Sequence, residues 1–380
     1  MKVLMICERF PPDLGGLATS GGRLASTLAG LGCDVQVLAW SRQLPPGCVE
    51  SNPVNGLVLH RMGRFSNWDL TMQHSLNFTD WLHQQHQFEA TWGHYLQVAG
   101  FLAVMFARQA KIKSIVSARG NDVDQLMFPP GDFARLKWTL EKATLVTSVS
   151  AELSRKIHLI VGDDVQVEVI PNAVGMDIFS PGEPDPALRD RLGIHGDEVV
   201  LGFSGELRHK KGLAFLPGAL REVRKSRPAC ILVIGEIRAR EQSTLSGFAA
   251  EDPETAERFL CTGHLEDPVE VATHLRICDL ILQPSVWDGM PNSVLEAMAC
   301  ERLVLASDAG GIPEVLEHGV NGVMIPKTRL NHLGQAITET LDLPQERKDA
   351  MRVAARRTVE ERFTARNERQ SLGRLIQALG

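Results

Sequence analysis

Short apolar runs alternate with stretches of helical spacing along the whole chain. The run at residues 2–7 leads into a loop at 8–16. Leu24, Leu28 and Leu31 then recur at helical spacing up to Gly32, which reads as a helix with a glycine stop. Residues 35–40 form the next apolar run. Strand, glycine loop, helix and strand make a βαβ unit with parallel strands. The same alternation predicts strands at 57–62, 90–93, 114–118, 145–150 and 165–170, and helices at 69–84, 96–109, 133–143 and 151–161. Residues 45–56 are turn-rich and are predicted as loop.

Pro171-Asn172 and the proline-bearing segment 180–186 punctuate the middle of the chain as a linker. Beyond them the alternation resumes. Strands are predicted at 199–203, 230–234, 259–262, 280–283, 303–307 and 323–325. Helices include 215–224, 269–277 and 292–299, followed by charged ones at 330–341, 345–362 and 365–379. Two halves of similar size predict an α/β fold of two Rossmann-like, doubly wound domains facing a central cleft, with ligands at the carboxyl ends of the strands.

Composition narrows the function classes. At 380 residues, two domains are expected. A net charge of −6 gives no global pull toward nucleic acid, and no nucleic-acid partner is expected. The seven cysteines form no CxxC pair, and Cys7, Cys230, Cys261, Cys278 and Cys300 lie in apolar runs. They read as buried, reduced thiols of a cytoplasmic protein. No apolar stretch has the length of a transmembrane helix, and the opening run is too short for a signal peptide.

Candidate chemistry gathers at strand ends. Gly15-Gly16 opens the first helix, where the backbone can approach a phosphate closely. The spacing is not GxGxxG, and no acid ends the following strand, which argues against a nicotinamide dehydrogenase. His94 follows the strand at 90–93 and is a candidate sugar-hydroxyl donor or base. Arg119 and Asp122 follow the strand at 114–118. Arg119 suits a departing phosphate; Asp122 suits an acceptor hydroxyl or a loop cap. Arg208, His209, Lys210 and Lys211 lie between Gly205 and Gly212 and suit a diphosphate.

The stretch 284–300 carries Asp288, Gly289, Met290, Pro291 and Asn292 into a helix holding Glu296 among apolar neighbours. A carboxylate so placed points to a ligand with hydroxyl donors or to the helix dipole. Gly310-Gly311 opens a further helix. His83 and His86 share a helix face with no third ligand beside them, and Asp122-Val123-Asp124 matches a three-residue metal pattern that arises by chance. No metal site is expected. HExxH and GxSxG are absent from the sequence.

Taken together, Gly15-Gly16, Val169-Ile170-Pro171-Asn172-Ala173-Val174, the Gly205…Lys211-Gly212 loop, Asp288 with Glu296, and Gly310-Gly311-Ile312-Pro313-Glu314 resemble the retaining glycosyltransferases of family four. That group has the two-domain glycosyltransferase B fold. The resemblance implies an acceptor-binding domain of residues 1–172, completed by a final helix at about 363–380, and a donor-binding domain of residues 173–362. It implies sugar transfer from a nucleotide-diphosphate sugar, a UDP- or GDP-sugar, to a hydroxyl acceptor with retention, by a front-face path and without a metal or other cofactor.

The implied roles are specific. Glu296 would hold ribose, Asp288 the transferred sugar, and the 289–292 turn sugar or phosphate oxygens. Arg208 and Lys211 would bind the diphosphate, and Gly16 would face the same phosphate. Three departures stand out: Asp288 replaces a Glu, Glu206 stands where many members have Arg, and Arg119 where many have His. They keep open a non-catalytic nucleotide-sugar binder of the same fold. Arg135, Lys137, Trp138 and Lys142, on or near one helix of the acceptor domain, are a candidate peripheral membrane contact or a solvated face.

Overall fold

A computed structural model describes residues 1–379. The chain divides into two compact units, residues 1–172 with 366–380 and residues 173–365. The final helix runs Ala365–Leu379, and its expected end at residue 380 lies outside the described residues.

The first unit holds an eight-stranded sheet in the order β3-β4-β2-β1-β5-β6-β7-β8. The strands are β1 (Lys2–Cys7), β2 (Asp34–Ser41), β3 (Val49–Val54), β4 (Leu57–Gly63), β5 (Ala90–His94), β6 (Lys113–Ala118), β7 (Leu145–Ser148) and β8 (Val167–Val169). All pairs are parallel except β3 with β4. Val3 to Cys7 are fully buried because helices cover both faces of the sheet. On one face Leu24 and Leu28 of the helix Gly16–Gly30 pack with Leu372, Leu375 and Leu379 of the last helix. The carboxylate of Glu368 clamps that helix by accepting a two-pronged contact from Arg23, at 2.8 and 3.1 Å. The Arg23 side chain is largely covered by this pair.

The second unit holds a six-stranded parallel sheet in the order β11-β10-β9-β12-β13-β14. Its strands are β9 (Val199–Ser204), β10 (Ala229–Ile234), β11 (Phe259–Cys261), β12 (Leu280–Gln283), β13 (Val304–Ser307) and β14 (Val323–Ile325). Leu201, Phe203, Ile231, Leu280 and Leu305 form the core with Leu216, Leu220 and Ile337.

Four local features differ from the sequence reading. Residues 49–54 form β3, an antiparallel edge strand. Pro53 misled the reading, since an edge strand tolerates a missing donor. The single helix expected at 96–109 is a π-helical turn, Leu96–Gly100, followed by an α-helix, Phe101–Ala110. A helix over Gln242–Glu251 lies in a stretch given no element. Cys261 is exposed, because β11 is an edge strand, while Cys33 is buried.

Candidate active site

Among its parallel strands each sheet reverses its strand order once, between β1 and β5 in the first unit and between β9 and β12 in the second. Loops at such switch points are where doubly wound sheets bind ligands. Gly15 and Gly16 follow β1 and His94 ends β5; Arg208, Lys211 and Asp288 follow β9 and β12.

In the second unit, glycines let three loops close on one another. Gly212 has φ +91, and a Cβ there would lie 2.1 Å from the Pro284 carbonyl oxygen. The Val286 N–H donates to the Lys210 carbonyl at 2.8 Å, zipping the loop after β9 onto the loop after β12. Gly310, at φ +55, has no room for a side chain, since a Cβ would meet the Asp288 carbonyl oxygen at 1.7 Å. Next to it, the Gly311 N–H donates to the Gly289 carbonyl at 2.6 Å.

This closure puts Lys211 Nζ in a short charged contact with Asp288 Oδ2. Asp288 Oδ1 accepts the Gly289 N–H at 3.0 Å. Beneath the pair runs a buried polar relay that sequence reasoning missed. Ser293 Oγ donates to Gln283 Oε1 and Gln283 Nε2 to Ser285 Oγ, both at 2.9 Å, and Ser285 Oγ donates to Asp288 Oδ2 at 3.4 Å. Gln283 and Ser285, polar residues on either side of Pro284 at the end of an apolar strand, were the available signal. Burial raises the Asp288 pKa, but the Lys211 and Lys210 charges and the bonds from Lys211 and Gly289 outweigh it, so the pKa is lowered and the carboxylate stays ionised.

Arg208 Nε approaches Glu206 Oε2 at 3.1 Å as an ion pair without an aligned hydrogen bond. Glu206 also accepts a fork from Arg238, at 2.7 and 3.1 Å. Arg238 arrives there because Leu207 bridges Ile237 of the loop after β10. Sequence reasoning missed it, and its sequence signal was a second basic cluster after the next strand. Burial, with the Arg238 and Arg240 charges, pulls the Arg208 pKa down against Glu206 and Asp288.

Met290 and Pro291 are buried, and the helix Asn292–Ala299 starts without a side-chain cap. The Asn292 Oδ1 atom there is buried with no hydrogen-bond partner. Glu296 is partly exposed, between buried Val294–Leu295 and Ala297–Met298.

In the first unit, Gly15 and Gly16 are exposed, Gly15 at φ +107, with open space where a Cβ would stand at either position. His94 is fully buried. Its Nε2 lies 2.9 Å from Ser20 Oγ, which itself donates to the Leu17 carbonyl at 3.1 Å. The other ring nitrogen, Nδ1, is buried with no hydrogen-bond partner. Burial and the charges of Arg119 and Arg23 hold its pKa well below the usual histidine value.

Asp122 makes the contacts of a loop cap. It is fully buried, and its oxygens accept the backbone N–H groups of Leu96, Arg119 and Gly120 at 2.8 to 3.1 Å. A carboxylate so occupied positions loops. Burial pushes its pKa up to about 6. Arg119 Nη2 donates to Asn172 Oδ1 at 2.5 Å, and burial brings its pKa down to about 10.

Asp124 pairs with Lys156 at 2.6 Å, so both carboxylates of the three-residue acidic pattern are engaged by their own chain. Among the described residues, no three His, Cys, Asp or Glu side chains gather in metal-binding geometry. On the helix Pro130–Lys142, Lys137 pairs with Glu141 and Trp138 packs on Phe101. Among the described residues, no helix is long and apolar enough to cross a membrane.

Comparisons with known proteins agree with this architecture. Residues 15–173 match the family model described as glycosyl transferase 4-like domain, and residues 198–342 match the one described as glycosyl transferases group 1. A D-inositol 3-phosphate glycosyltransferase of Segniliparus rotundus is 27% identical over 57% of this chain and 47% of its own length. The putative teichuronic acid biosynthesis glycosyltransferase TuaC of Bacillus subtilis is 26% identical over 64% and 59%. The chain thus spans about half the length of these two relatives. A D-inositol 3-phosphate glycosyltransferase of Kineococcus radiotolerans is 26% identical over 91% and 86%. Among solved structures, sucrose-phosphate synthase from Thermosynechococcus elongatus superposes with a TM-score of 0.84 at 18% identity, covering 100% and 98% of the two chains. Anabaena HepE in complex with UDP and glucose gives 0.80 at 16%, covering 100% of both.

Proposed function

The chain belongs to the group 1 glycosyl transferases, and from that premise we propose that it moves a sugar from a nucleotide-diphosphate sugar to an acceptor hydroxyl with retention at the anomeric carbon. The donor is a UDP- or GDP-sugar, and the UDP bound by the HepE structure favours the first. The second unit holds the donor and the first unit the acceptor.

The observation that carries this reading is the charged contact of Lys211 with Asp288, with Arg208 beside it, at the switch point of the second sheet. Lys211 and Arg208 take the diphosphate and stabilise the charge that grows on it as the glycosidic bond breaks. The uncapped start of Asn292–Ala299 adds donors for oxygens of the same ligand. These groups supply the positive charge without a metal. Glu296 accepts from ribose hydroxyls. Asp288 orients Lys211 and meets the transferred sugar. The acceptor oxygen bonds to the anomeric carbon on the face the phosphate leaves. Its proton passes to the departing phosphate oxygen, so no protein base is needed. The first unit contributes Arg119, Gly15 and Gly16 as candidate substrate contacts, and His94 Nδ1 accepts from a sugar hydroxyl.

Release of nucleoside diphosphate from a panel of UDP- and GDP-sugars, with and without acceptor alcohols, tests the reading, and NMR of the product anomer tests retention. Binding of the nucleotide with no turnover on any acceptor would mean a non-catalytic sugar-nucleotide binder instead. Activity abolished by EDTA and restored by a divalent ion would contradict the metal-free account.

A further inference from the structure

The first unit contains a cavity of about 380 Å³ that none of the proposed donor or catalytic groups line. Its walls are largely apolar: Trp68, Met72, Leu76, Val98, Phe101 and Met105. They come from the N-terminal parts of three helices, Trp68–His86, Phe101–Ala110 with the π-turn before it, and Pro130–Lys142. These follow β4, β5 and β6 in turn. A helix that follows a parallel strand begins at that strand's carboxyl end, so the cavity opens at the ligand-binding edge of the sheet.

Two rare backbone features join the cavity to the switch-point residues. Tyr95 has φ +89, a strained value for a side-chain-bearing residue. The π-turn Leu96–Gly100 follows at once, and such turns concentrate at functional sites. The turn is pressed onto β5, since a Cβ on Gly93 would lie 2.5 Å from Gly100 Cα. A buried acid and a half-buried one hold it. Asp122 accepts the Leu96 N–H at 3.0 Å and Glu8 the Val98 N–H at 3.4 Å. Part of the cavity wall is therefore built from the segment that begins directly after His94.

Trp68 is fixed edge-on against Trp40, with ring centroids 5.5 Å apart. Arg135 stands over the Phe101 ring at 5.5 Å. Met72 and Met105 supply flexible, polarizable surface that adapts to an apolar guest. The volume is that of a small-molecule site.

We propose that this cavity binds the apolar aglycone of an amphiphilic acceptor, an alkyl or aryl group whose hydroxyl-bearing head lies toward His94. The word acceptor rests on the transferase reading; the binding of an apolar aglycone does not. The test is calorimetric titration of the whole chain with n-octyl β-D-glucoside below its micelle concentration and with methyl β-D-glucoside. Burying even two methylenes is worth about tenfold in affinity, so the octyl compound should bind saturably and at least about tenfold more tightly. Met105→Trp, which fills the cavity, should abolish that preference. Gln73→Trp, from an exposed position at the mouth, does the same job if the first variant does not fold, with melting curves reporting folding. Equal binding of the two glucosides, or an octyl preference that survives a folded filling variant, overturns the proposal. A UDP-induced rise in wild-type melting temperature is measured in parallel. Its absence would count against the transferase reading and leave the cavity result to stand or fall alone.

Discussion

In the second unit, the loops after β9, β10 and β12 carry opposed charges that touch: Lys211 on Asp288, Arg208 and Arg238 on Glu206. In the first unit, the loops after β1 and β5 carry an open glycine pair and a buried, neutral histidine, and the acid nearby is spent on backbone N–H groups. The two sheets share one plan, a single reversal of strand order among their parallel strands. They differ in what the plan presents. One unit offers movable charge for a charged ligand. The other offers shaped backbone and apolar walls, with its ionisable groups used as internal braces. A common fold therefore does not dictate equal chemistry at equivalent strand ends.

The largest effect should come from breaking the charged contact. Lys211→Ala is expected to lower turnover by about 10²–10³-fold. It also strands Asp288, costing up to about 3 kcal/mol in stability. Adding Asp288→Asn should restore the melting temperature but not turnover. Recovery of both would reduce Lys211 to a structural residue. Glu296→Ala should weaken nucleoside diphosphate binding by about 1–3 kcal/mol, read by calorimetry; unchanged affinity would remove Glu296 from the donor site. Ser285→Ala cuts the relay under Asp288 and leaves Gln283 short of a partner. A loss of about 1–2 kcal/mol in denaturant stability is expected, with a several-fold fall in turnover.

The smallest effect tests the braces of the first unit. Asp122 has its pKa raised to about 6, above its unfolded value near 3.9. The folded chain therefore holds a proton that the unfolded chain releases between those values. That contribution to stability is fully present below the unfolded value and is lost as pH rises through 6. The stability gap between wild type and Asp122→Asn should widen by about 1 kcal/mol on going from pH 7 to pH 5. A gap that narrows on acidification would contradict the buried-brace account.

Much of this was legible in the chain. Strands buried on both faces announce themselves as apolar runs, and all but β3 stood out in this way. The edge strand did not, because exposed positions and Pro53 carry no apolar signal. The π-turn was also hidden: Leu96, Val98 and Ala99 have helical apolar spacing, and only the contacts of Asp122 and Glu8 reveal why the helix starts differently. At the site, residue types were readable but partners were not. Asp122 read as either an acceptor contact or a loop cap, because an acid after a strand carries no mark of its backbone donors. Arg238 escaped notice because its pairing with Glu206 depends on the neighbouring order of β9 and β10.

The central claim is that the charged loops of the second unit hold a nucleotide-diphosphate sugar. Hydrogen–deuterium exchange of the whole chain with and without UDP, and with GDP in parallel, tests it most directly. The account predicts ligand-dependent protection in residues 205–212, 284–296 and 308–314 for one of the two nucleotides. A melting shift with no protection in any of these loops, or protection confined to residues of the first unit, would contradict it.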